Sequence, residues 1–113
     1  MSEQLAPSRV TPLRDLGALV LLSKGTTVLT LLSILNGIAA AEFVQIFDAV
    51  QTSDVTLGTT VPDLEIGLTA STPLLLPLVG GVRFMKGIVV ACTTTEKGAT
   101  PTGAGVQCHA AIY

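Results

Sequence analysis

Tryptophan is absent from this chain of 113 residues, and Phe43, Phe47, Phe84 and Tyr113 carry its only aromatic rings. Sugar sites and single-strand nucleic-acid sites rely on stacking rings, so the shortage argues against both. Charge is scarce as well: charged residues make up 12% of the chain, and the formal net charge of −2 comes with no basic stripe. That excludes the electrostatic footprint of a nucleic-acid binder. Cysteine occurs twice, too seldom to build a disulfide framework. No apolar run of signal-peptide length adjoins the charges of "MSEQLAPSRVTPLRDLG", so a reduced, cytosolic origin is expected.

What the chain has is hydrophobic surface, 49% of its residues. Its length supports one domain with one core. The stretch "LGALVLLSKGTTVLTLLSILNGIAAAEFV" raises the question of a membrane span. A spanning helix needs about 20 apolar residues in a row. Lys24-Gly25 and Asn36-Gly37 split this stretch and Glu42 closes it, while Val, Ile and Thr enrich its second part. Two buried strands are the expectation, and a helical hairpin over 16–41 is the alternative.

Pro7 and Pro12 lack backbone donors, and residues 1–15 show no periodicity, which predicts an extended N-terminal arm. Residues 16–113 then form a single β-sandwich domain. Gly and Pro punctuation predicts strands near 17–23, 26–35, 43–48, 63–69, 73–78, 81–84, 87–94 and 106–113. A helical turn fits only near Gly37–Glu42. The segment Glu96–Gly105 reads as an exposed loop. Alternation puts Val106, Cys108, Ala110 and Ile112 on a core face, and likewise Leu64, Ile66 and Leu68. Counted straight through, 26–35 is apolar on both sides, with Val28, Leu32 and Ile34 on one and Leu29, Leu31 and Leu35 on the other. A strand apolar on both faces is buried on both. In so small a domain, Leu29, Leu31 and Leu35 are candidates for a subunit interface.

Constellations for chemistry are missing. "SKGTT" holds the letters of a phosphate loop in the wrong order, and no G-x-S-x-G elbow occurs. His109 is the only histidine. Cys108 and His109 are strand neighbours, so they face opposite ways and cannot share a metal. If 87–94 and 106–113 pair as a hairpin, Cys92 and Cys108 lie within reach of a disulfide; two buried thiols are the favoured reading. Asp48, Asp54, Asp63, Glu65 and Glu96 stand singly, as solvated turn residues do. No enzyme activity, cofactor or metal is expected.

The order of elements from Phe43 onward has a precedent. Phe47-Asp48-Ala49, Gly58-Thr59 with Pro62, Gly81-Val82 with Phe84, Gly87-Ile88, and Ala91 with Thr93 resemble the pattern of small phage virion structural proteins. The resemblance covers about two-thirds of the chain. "VQTSDVTLGTT" is longer than the family's turn, and "TPLLLPL" is more apolar than its usual approach. The resemblance implies an all-β, antiparallel jelly-roll-like sandwich that decorates or cements a capsid, commonly as a homotrimer. It implies synthesis in the host cytoplasm, residence on the capsid surface, and the phage major capsid protein or a neighbouring virion protein as partner, with no nucleic acid or membrane bound. A tail or head-fibre adaptor is the alternative within that class, and a small holin-like membrane protein the alternative outside it. Arg83 and Lys86, interrupting an apolar run, are candidates for docking on an acidic surface. In the arm, Leu5, Val10 and Leu13 alternate with Arg9 and Arg14 and are candidates to order against a neighbour.

Overall fold

Glycine and proline divide the chain much as they do on paper. The computed structural model describes residues 9–113. Their strands are β1 (Arg9–Val10), β2 (Arg14–Asp15), β3 (Val20–Lys24), β4 (Thr27–Asn36), β5 (Glu42–Asp48), β6 (Leu64–Leu68), β7 (Pro73–Phe84), β8 (Gly87–Thr93) and β9 (Val106–Ile112), with one short 3-10 turn at Thr52–Asp54. Among the described residues no helix is long and apolar enough to cross a membrane. Residues 16–41 hold β3 and β4 rather than a helical hairpin. Gly37–Glu42, the one stretch where the sequence leaves room for a helical turn, holds none. Asn36 takes its place: its Oδ1 accepts from Ile38 N (3.0 Å), and its Nδ2 donates to Ala40 O (3.0 Å) and Thr69 O (3.1 Å). One buried amide side chain thus ties down the backbone groups a helix would have paired.

The strands form two antiparallel sheets packed face to face. One runs β1/β2–β9–β4–β7 and the other β3–β8–β5–β6. The pairings nest. The first strands pair with the last, β3 with β8, β4 with β7, and β5 with β6. Leu29, Leu32, Ile34, Val44, Ile46, Phe84, Ile88, Val90, Val106, Ala110 and Ile112 fill the space between the sheets. The alternation expected of 106–113 and 63–69 holds: Cys108 and Ala110 are fully buried, and Leu64, Ile66 and Leu68 pack against the same core.

Four expectations change. First, the β4 register shifts between Leu29 and Leu31 against both of its neighbours. An extra residue reverses the facing of everything before it. Leu29 is therefore fully buried in the core with Leu32 and Ile34, and it is not an interface residue. Second, 73–78 and 81–84 are one strand. Gly80 (φ 81°) and Gly81 (φ 77°) carry it through the same irregularity, where Val79 stands fully exposed. Third, β8 and β9 do not form a hairpin but belong to opposite sheets. Cys92 and Cys108 are free, buried thiols. Burial, with help from the Glu42 carboxylate, pushes the Cys92 pKa up to about 11, and burial alone pushes Cys108 to about 12. Fourth, residues 9–15 lie along β9 of their own chain. Thr11 N donates to Ala110 O (2.8 Å), and Thr11 Oγ1 accepts from Ala110 N (2.9 Å).

Every residue of β8 is buried, although it belongs to a sheet with only one neighbouring sheet. The chain's own loops account for its other face. Phe47, Ala49, Val55 and Val89 form a second apolar cluster there, with Leu19, Leu21 and Leu57 against it. Further along, Gln45 Nε2 donates to Thr93 Oγ1 (2.9 Å) and Gly98 O (3.1 Å). The 96–105 loop has mostly exposed side chains but a fastened backbone. Thr94 N donates to Thr100 O (3.1 Å), Thr102 N to Cys92 O (3.0 Å), and Gly105 N to Asp15 Oδ2 (3.0 Å).

Candidate interaction surfaces

The β3–β8–β5–β6 sheet is covered on its outer side, whereas the other sheet leaves an apolar outer face open. Residues directly opposite in an antiparallel ladder project to the same face. Leu35 of β4 stands opposite Pro73 and Gln107, Ser33 opposite Leu75 and His109, and Leu31 opposite Pro77 and Ala111. Ala111 in turn stands opposite Val10 of β1. Leu35 is 49% exposed, Leu75 65% and Val10 67%, while Leu31 is half-buried. The next row is Arg83, Val28 and Tyr113, the last two exchanging backbone bonds of 2.9 and 3.0 Å. An apolar band thus crosses the sheet from β7 to β1, interrupted by Ser33, His109 and Gln107. Pro73 and Pro77 lie on the edge strand β7 and lack the N–H that an added strand would pair with. The face is therefore the sticky surface, rather than this edge.

Leu75 escaped the sequence reading although its signal was present. In "PLLLPLV", Pro73, Leu75, Pro77 and Val79 are exposed, while Leu74, Leu76 and Leu78 pack on the core. That is alternation at period two, disguised because both faces carry apolar residues.

A second surface is charged. The β3–β4 and β7–β8 turns meet at one end of the sandwich, where Gly25 N donates to Lys86 O (2.8 Å) and Lys24 stands opposite Gly87. Lys24 and Lys86 are therefore close in the fold. Arg83 sits beside them on β7, opposite Val28 near the start of β4. Arg9 joins from β1, because its partner Ile112 is itself opposite Leu29 near the same end. A cleft of about 320 Å³ opens between the edges of the two sheets, lined by Arg9, Val10, Thr11, Pro12, Leu22, Ser23, Lys24 and Ile112. Of the residues singled out from sequence, Arg9, Arg83 and Lys86 gather here. Arg14, opposite Cys108, belongs to the other end; Leu13 is 58% exposed between β1 and β2. Leu5 lies outside the described residues. Lys24 was missed because a Lys-Gly pair reads as a turn and nothing more.

A cleft of about 210 Å³ on the outer side of the second sheet brings Asp48, Asp54 and Asp63 together with Lys86. This convergence has no counterpart in the linear spacing. Two of its carboxylates are already occupied with the backbone, and Asp54 Oδ1 accepts from Gln51 Nε2 (3.5 Å). Asp48 Oδ1 accepts from Lys86 N (2.7 Å) and Gly87 N (3.3 Å), and its Oδ2 from Met85 N (3.0 Å). Asp63 Oδ2 accepts from Asp48 N (2.7 Å). Burial raises the Asp48 pKa, but the N–H groups of Lys86, Met85 and Gly87, with the Lys86 charge, outweigh it and hold the carboxyl below its ordinary value. Asp48 is thus a staple for the β7–β8 turn. Among the described residues no group of three or more His, Cys, Asp or Glu could hold a metal ion. No family model matches the chain, and no curated protein or solved structure matches it.

Proposed function

We propose that this chain is a non-enzymatic virion structural protein, a jelly-roll decoration or cement subunit that associates as a homotrimer and binds the major capsid protein of a phage head. The strand order supports the fold. With β1 and β2 taken as one interrupted strand, first pairs with eighth, second with seventh, third with sixth and fourth with fifth. Such nesting is what a long hairpin rolled into two sheets would give, as in jelly rolls, which recur in viral capsids and also in lectins and cupins. Fold alone does not carry function. The observation that carries the reading is the difference between the two outer faces. The chain covers one with its own loops and leaves Leu31, Leu35, Leu75 and Val10 open on the other. A protein whose work is association keeps such a face. Leu31 and Leu35 are its subunit-interface residues, and Arg9, Arg83 and Lys86 its contacts to the capsid.

The test is retention on particles. Phage heads purified with the protein present should carry it at stoichiometric levels, and heads made without it should lose mechanical or thermal stability. Recovery on isolated tails or fibres, and not on heads, replaces the decoration reading with the adaptor one.

A further inference from the structure

We infer that the cleft between β1 and β3 receives an acidic segment of the partner protein, with a glutamate or aspartate carboxylate held between Arg9 and Lys24. The inference rests on the docking role proposed above and adds to it a site and a ligand chemistry. Three observations carry it.

The first is what lines the cleft. Among the described residues that line it, Arg9 and Lys24 are the only ionisable ones, and none is a carboxylate. Its hydroxyls already have partners: Thr11 Oγ1 accepts from Ala110 N, and Ser23 Oγ shares a hydrogen bond of 2.8 Å with Thr27 Oγ1. The two cationic heads are what the cleft offers to a polar ligand. A guanidinium presents a planar fork that matches a carboxylate, and an ammonium adds a point charge beside it.

The second is the apolar wall. Val10, Pro12, Leu22 and Ile112 line the same cleft. A bare inorganic anion has no use for them, whereas a peptide carrying a carboxylate next to an aliphatic side chain fits both parts. The cleft also lies where, among the described residues, β1 pairs only with β9 and β3 only with β8, which leaves one edge of each sheet open. An extended chain can run along that opening.

The third is the surrounding field. Arg83 flanks the same end, and so does Lys86, which also faces Asp48, Asp54 and Asp63, so four of the chain's six basic residues collect there although the net charge is −2. Such a concentration steers an acidic partner and disfavours a basic one.

A fluorescein-labelled peptide of alternating glutamate and leucine, titrated with the full chain at low salt, should raise its anisotropy on binding. Charge reversal in the cleft, Arg9→Glu with Lys24→Glu, should weaken this by about tenfold or more. A charge-matched control at the other end, Arg14→Glu with Lys97→Glu, should not. The glutamine-leucine version of the peptide should fail to bind, and added salt should weaken the glutamate peptide. All four substituted positions are exposed, and circular dichroism checks that the sheet content is kept. The inference is overturned if the cleft variant binds like the parent, if the glutamine peptide binds as well as the glutamate one, or if no binding occurs. Particles that retain the protein while any of these holds leave the docking role standing and remove only the cleft.

Discussion

At the scale of single residues, the carboxylates of Asp15, Asp48, Asp63 and Glu65 are structural, each accepting from backbone N–H groups. Asp48 shows this best, because three consecutive backbone N–H groups converge on its carboxylate. Asp48→Ala should lower stability by about 0.5–1.5 kcal/mol, the net worth of exposed hydrogen bonds that water can replace in part, read from the urea midpoint at neutral pH. The pH dependence has a definite sign. A carboxyl held below its ordinary 3.8 stabilises the fold above that value, and the contribution is lost as pH falls through the lower folded value. Asp48→Asn should remove this part of the acid limb. The thiols behave oppositely. Cys92 and Cys108 stay protonated in the fold to about 11 and 12, while the unfolded thiols ionise near 9.0. Their contribution is full below 9.0 and is lost as pH climbs toward the folded values. A thiol reagent at mildly alkaline pH should therefore label neither cysteine in the native protein and both in urea; labelling of the native form at the unfolded rate contradicts this burial.

At the scale of the element, β4 separates two roles that its composition runs together. Leu29 lies in the core and Leu35 on the open face. Leu29→Ala should cost about 2–5 kcal/mol of folding stability, whereas Leu35→Ser should leave the urea midpoint of the monomer nearly unchanged and weaken association. The turn into β8 is equally constrained. Gly87 has φ 152°, and a Cβ there would meet Ser23 O at 2.6 Å and Ala49 O at 2.7 Å. Both contacts are backbone, so Gly87→Ala must distort β3 or the end of β5, and a clear drop in thermal midpoint is expected. The first strands matter as well. Removing residues 1–15 would take Thr11 from Ala110 and leave β9 as a bare edge. Amide exchange at Ala110 should then accelerate sharply, and aggregation should rise.

At the scale of the whole molecule, the asymmetry of the two outer faces decides behaviour. A face bearing Leu31, Leu35, Leu75 and Val10 should drive self-association at micromolar concentration. Light scattering should report an oligomer that dissociates on dilution, and Leu35→Ser with Leu75→Ser should shift it to monomer with the same circular dichroism. A parent protein that stays monomeric in that range would mean the face is reserved for a different partner. Because association stabilises the folded form, the parent's thermal midpoint should rise with protein concentration and the double variant's should not.

The sequence by itself determined most of the strands from β3 onward, because their signals are local, but neither the pairing of 9–15 nor the continuity of 73–84. Gly25, Pro62, Gly87 and Gly105 mark breaks by their backbone chemistry, and alternation in 106–112 and 64–68 marks facing without reference to any other segment. It also determined that β4 and the 73–79 run are apolar on both sides. Which side meets what was decided only by the tertiary structure. Against β9, an extra residue in β4 reverses facing, and nothing in "TVLTLL" announces it, because register is a property of the paired strands together. The separation of β8 from β9 into opposite sheets, and with it the free state of Cys92 and Cys108, follows from which strands nest together, a non-local matter. The basic end has the same origin. Arg9, Lys24, Arg83 and Lys86 are up to 77 positions apart in the chain (86 − 9 = 77). They meet because the strand pairing brings the first strands beside the last and closes two turns at one end. Local chemistry dictates where a strand starts and stops; only the pairing of distant strands dictates what its side chains face.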